Sequence, residues 1–156
     1  SYLVRDLSMT TIEAGMLFTT FTASGIPAPY FWGFMSDRFG RRTIVLSAMG
    51  AAAMLWYLLP HASVTLHLLL ILALIGFVGQ GIGGVVQAFV GDSGTEESRD
   101  LVYGVYFTLA FGLGSLSPLV LGYIADSFGF QASFTWLAMI SLAAVLASAA
   151  LLRVRV

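Results

Sequence analysis

The ten residues Gly33-Phe34-Met35-Ser36-Asp37-Arg38-Phe39-Gly40-Arg41-Arg42 hold three of the seven basic side chains in this chain, and they divide two long apolar stretches. Residues 14–36 carry no charge, and across residues 43–91 only His61 and His67 titrate near neutral pH. A Gly-bounded turn crowded with guanidinium groups between two membrane-length segments reads as a cytoplasmic hairpin, because short loops rich in Arg and Lys stay on the cytoplasmic side. Composition agrees. Hydrophobic residues make up 58% of the 156 and charged ones 10%, against about 25% charged in soluble domains. A chain this apolar would expose large greasy patches to water.

A helix needs roughly 20 apolar residues to cross the hydrocarbon layer. Five stretches qualify, at about 11–35, 43–59, 64–90, 101–125 and 131–152. None alternates with a period of two, and open sheets cannot sit in lipid, so the expected fold is all-α: a polytopic membrane bundle of five transmembrane helices forming one partial domain over 1–156. The second span is short enough to borrow Arg42 or Pro60, and the third long enough to tilt or break. With the Arg-rich turn inside, Arg38, Arg41, Arg42, Arg99, Arg153 and Arg155 fall on the cytoplasmic side and Arg5 outside. That asymmetry places the carboxyl end in the cytoplasm.

Small residues mark where helices approach. Gly76, Gln80, Gly83 and Gln87 follow spacings of four, three and four, which put them on one stripe of the third span. Two amides are costly in hydrocarbon, so this stripe is expected to face a cavity or another helix. The alternative is that both glutamines only make interhelical hydrogen bonds. Ala110, Gly114, Pro118 and Gly122 recur every four residues and give the fourth span a smooth packing face. Pro118 should bend that span, and Pro27 and Pro29 the first. The second and fifth spans, poor in glycine, are expected to face lipid.

Several chemistries are excluded or weak. Net charge of −1 argues against nucleic acid, and with no cysteine there is neither disulfide nor thiolate chemistry. No pair of buried carboxylates, Ser/His/Asp grouping or His-rich metal spacing is evident. Gly79-Gln80-Gly81-Ile82-Gly83-Gly84 matches a dinucleotide fingerprint, but no strand–helix alternation surrounds it and close helix packing accounts for it better. Glu13 at the outer mouth of the first span is either a proton relay or the acid of a capping box with Thr10, and the box is favoured. Asp92, Glu96, Glu97 and Asp100 read as acids at the amino end of the fourth span.

The pattern Gly-x-x-x-Asp-Arg-x-Gly-Arg-Arg, filled by Gly33, Asp37, Arg38, Gly40, Arg41 and Arg42, resembles the loop signature of the major facilitator superfamily of secondary transporters. The resemblance covers nearly the whole chain. It implies part of a twelve-helix fold made of two six-helix halves, with this loop after the second or eighth helix. The third span lacks the Arg that amino-terminal halves often carry in the matching helix, and the chain stops soon after a short basic tail. Helices eight to twelve are therefore expected, with the amino-terminal half as the missing partner.

The resemblance further implies that the six signature residues form a conformational latch, with Asp37 engaging a helix end of the opposite half. It implies a cavity lined by the third span at Gln80 and Gln87, with Tyr103 and Tyr106 of the fourth as further candidates. The function implied is transport of a small-molecule substrate across the cell (plasma or inner) membrane by alternating access, with proton-coupled efflux as one form. No cofactor is implied. A five-helix membrane scaffold or partner-binding subunit is the alternative reading, and a membrane-embedded enzyme a more distant one.

Overall fold

The computed structural model describes residues 10–62 and 65–153, and the side chains of 10–62 and 66–147. Arg5, Val64 and Arg155, which bear on the expected spans and orientation, lie outside the described residues. Among those described there are six α-helices and no strand: α1 Thr11–Ser24, α2 Ala28–Phe39, α3 Arg41–Leu58, α4 Thr65–Asp92, α5 Arg99–Phe128 and α6 Phe130–Arg153, with a 3₁₀ turn, Leu59–His61, after α3.

Four segments are long and apolar enough to cross a membrane: Arg41–His61, Leu66–Asp92, Arg99–Phe128 and Phe130–Ala147. The second expected span does extend over Arg42 and Pro60, and the third is one unbroken helix of 28 residues. The first expected span is different. It is two helices of 14 and 12 residues, about 21 and 18 Å long at 1.5 Å per residue, and neither reaches across the hydrocarbon alone. Proline is the cause. Pro27 and Pro29 have no N–H to give Ala23 and Gly25, and a proline ring disfavours helical geometry at the residue before it. Thus the bend expected at these prolines is a full break over residues 25–27.

Local signals set the other ends. Thr10 and Glu13 close a reciprocal capping box on α1: the Thr10 N–H donates to Glu13 Oε2 at 2.8 Å and the Glu13 N–H to Thr10 Oγ1 at 3.3 Å. Single glycines make the α2–α3 and α5–α6 corners. Gly40 has φ 87° and ψ 134°, and Gly129 φ 84° and ψ 161°, a region nearly closed to other residues. Each donates its N–H back to a carbonyl four residues earlier, Ser36 and Ala125, at 2.9 Å.

Helices α1 and α2 both lie along α4, while α3 packs against α2, α4 and α6. Leu17, Leu59, Ala62, Leu68 and Ile75 form a buried cluster on the His61 side, against Phe21, Trp56 and Phe134. Trp56 and Phe134 stack with centroids 6.1 Å apart, which joins the end of α3 to the start of α6. Ile44, Ala48 and Ala53 are the buried residues of α3. This span is poor in glycine, and alanine at two of these three positions lets its neighbours approach. In contrast, α5 buries no residue, and its main contacts are with α6 and α4. It also runs continuously through Pro118.

Candidate functional site

The signature segment is two helix ends joined by one residue rather than a loop. Gly33, Asp37 and Arg38 belong to the last two turns of α2, Gly40 is the corner, and Arg41 and Arg42 open α3. Ser36 is buried and donates its hydroxyl to the Gly33 carbonyl at 2.8 Å, so the inner face of the turn is satisfied locally. On the outer face Arg38 sits 5.9 Å from the centroid of Phe39. Asp37 and Arg42 are exposed, and among the described residues neither makes a side-chain hydrogen bond or ion pair.

Arg41 is the exception. Its Nη1 donates to the Ala88 carbonyl at 2.9 Å and pairs with the Asp92 carboxylate, 47 and 51 residues away on α4. Two misplaced charges explain the pair. A cation at the amino end of α3 and an anion at the carboxyl end of α4 each oppose their own helix dipole. The guanidinium, leaning off α3 onto the last turn of α4, offsets both. Hence Asp92 closes α4 and does not cap the next helix, as its sequence position suggested; Asp100 is the acid in the first turn of α5. With Asp92 well exposed the pair is open to solvent, where such contacts contribute about 0–1 kcal/mol.

The stripe on α4 divides in two. Gly76 lies directly beneath the Phe21 carbonyl and Ser24 of α1, and Gln80 Nε2 donates to that same carbonyl at 3.1 Å. Gly83 has open space where a side chain would be. The Gln87 side chain is exposed, while its main-chain carbonyl accepts the Tyr103 hydroxyl at 3.2 Å. Gly81 rather than Gly83 is the second close contact, against Trp32 and Ala28 of α2. Trp32 Nε1 donates to the Phe77 carbonyl at 3.1 Å. Spacing alone did not show this shift, because the contact face follows two short helices laid along α4.

Of the four candidate cavity residues, the structure brings Gln87 and Tyr103 together, through a main-chain atom. Tyr106 packs on Phe107, with centroids 5.1 Å apart, and Gln80 binds the broken helix. An open concavity of about 590 Å³ lies among the described residues between α5 and α6, at Ile124, Phe128, Gln131, Thr135, Trp136 and Met139. Ala110, Gly114, Pro118 and Gly122 are all exposed on α5, and nothing lies within 4 Å of where a side chain at Gly114 or Gly122 would begin. The described residues leave these four positions of the expected packing face uncovered. No group of side chains suited to a metal ion occurs among the described residues.

The model of the Major Facilitator Superfamily matches residues 1–156. The chain belongs to this superfamily. Among curated proteins it is similar to Multidrug resistance protein MdtG of Proteus mirabilis, 30% identical over 132 residues that cover 84% of this chain and 32% of that protein. The same protein of Dickeya zeae is 31% identical over 122 residues, covering 78% and 29%. That of Klebsiella pneumoniae is 29% identical over 132 residues, covering 84% and 32%. The chain thus spans about a third of the length of these relatives. No solved structure matches it significantly. Superfamily membership and four apolar helices of membrane length make it a multi-pass membrane protein.

Proposed function

We propose that this chain is part of a secondary transporter that moves a small lipophilic molecule across the cell membrane by alternating access. The whole-length superfamily match carries the reading, with the complete signature from Gly33 to Arg42 at the first Gly corner. The multidrug-resistance name of the relatives supports export as the direction. In this reading the chain supplies helices eight to twelve. The missing half covers the small-residue face of α5, and protons are the coupling ion. Asp37, unpaired among the described residues, meets a helix end of that half in one of the two states, and Arg41–Asp92 keeps α3 and α4 together while it does so. The Arg-rich turn and the carboxyl end lie in the cytoplasm, as the positive-inside rule directs. The chain's role is binding and movement, with no chemical step.

Cells lacking their main exporters, expressing the full-length protein that carries this chain, test the reading. Retention of a fluorescent lipophilic cation should fall on expression and recover when the proton gradient is collapsed. Unchanged retention across a panel of lipophilic cations, anions and neutral compounds, with the protein present in the membrane, would favour a scaffold role.

A further inference from the structure

The break between α1 and α2 leaves one carbonyl whose partner has to come from elsewhere. In a continuous helix the Phe21 oxygen would accept the Gly25 N–H, but that N–H turns to Thr22 at 3.1 Å and the Ile26 N–H to Ala23 at 3.1 Å. The Phe21 oxygen is therefore released at mid-span, where water is scarce and an unpaired carbonyl is costly. Two side chains collect it: Ser24 Oγ of the same helix at 2.9 Å, and Gln80 Nε2 of α4 at 3.1 Å. Two glycines make the second bond possible. Gly76 lets α4 come up beneath Phe21, and Gly25 leaves room for the amide, since a methyl group there would lie 2.5 Å from Gln80 Cδ and Nε2.

Below the break the attachment is of another kind. Trp32 and Ala28 of α2 press on Gly81, and the Trp32 indole donates to Phe77. The two short helices are thus fastened to α4 independently, one on each side of residues 25–27. We propose that Gln80 is a positioning residue for transport: by holding the freed Phe21 carbonyl it fixes the angle of α1 to α2 and ties the outer arm of the broken helix to α4. This rests on the transporter reading above. It gives Gln80 a role in setting the shape of the pathway, apart from any contact with substrate.

Two variants remove the bond by different routes. Gln80→Leu keeps the bulk of the side chain and loses its donor. Gly25→Ala keeps the amide and evicts it, at little other cost, because what it meets is the end of a flexible side chain. In the full-length protein, spin labels at Met16 on α1 and Phe34 on α2, both exposed, report the angle across the break. Both variants should broaden the Met16–Phe34 distance distribution and lower kcat about fivefold, the size of one net hydrogen bond, with KM little changed. Ser141→Ala on α6 should move neither.

An unchanged distance distribution in both variants would overturn the proposal, whatever happens to transport. So would a rise in KM alone, which would make Gln80 a substrate contact. If the unsubstituted protein moves no compound at all, the transporter reading fails, and the distance measurement still decides whether Gln80 sets the angle.

Discussion

At the residue scale, Gly40 and the Arg41–Asp92 pair have roles that differ in kind. Gly40 holds φ 87° and ψ 134°, and such geometry costs about 1–3 kcal/mol at a non-glycine residue. Gly40→Ala should therefore destabilise the α2–α3 corner by that amount, read as a lower unfolding midpoint in detergent, while Gly33→Ala, which meets nothing within 4 Å, should cost much less. For the pair, a double-mutant cycle with Arg41→Ala and Asp92→Ala should return a stability coupling below about 1 kcal/mol, as solvent-exposed ion pairs do. A larger coupling would mean that a partner outside the described residues buries the pair. The glycine and the arginines were legible in sequence, because a turn between two uncharged spans allows few other residues. The partner of Arg41 was not. Asp92 stands at the head of an acidic run, and only the true end of α4 assigns it to that helix.

At the scale of elements, the broken first span and the bare fifth helix are the informative ones. Gly76→Leu should drive α1 off α4, because even a first carbon there would collide with the Phe21 carbonyl. The expected outcome is faster proteolysis near residues 25–27, measured by limited digestion in detergent. Gly83→Leu, facing open space, should leave digestion unchanged. The capping box gave away the start of α1, and the prolines marked as a bend the place where the first span breaks into α1 and α2, since such signals act within a few residues of themselves. What sequence spacing did not reveal is which glycine on α4 is in contact, because that depends on how α1 and α2 lie along it. The stripe through Gly83 and Gln87 has the right period and a different neighbour. On α5 the small-residue spacing was plain in sequence, and the described residues leave Ala110, Gly114, Pro118 and Gly122 exposed.

For the whole molecule, orientation and completeness are the claims at stake. With the chain free of cysteine, a cysteine at Phe39 should label only from the cytoplasm and one at exposed His61 only from outside; reversed labelling would contradict the positive-inside assignment. An alternating-access transporter binds its substrate between two halves that rock against each other, and here α5 buries none of its residues against the rest of the described chain. The account holds that this chain is one necessary part of such a machine. The most direct test is gradient-driven uptake into proteoliposomes by the full-length protein, by its Asp37→Asn variant and by residues 1–156 alone. Saturable uptake by the full-length protein is predicted, with Asp37→Asn inserted but at least severalfold slower and the 156 residues inserted yet inactive. Saturable uptake by the 156 residues alone, with the KM of the full-length protein, would contradict it.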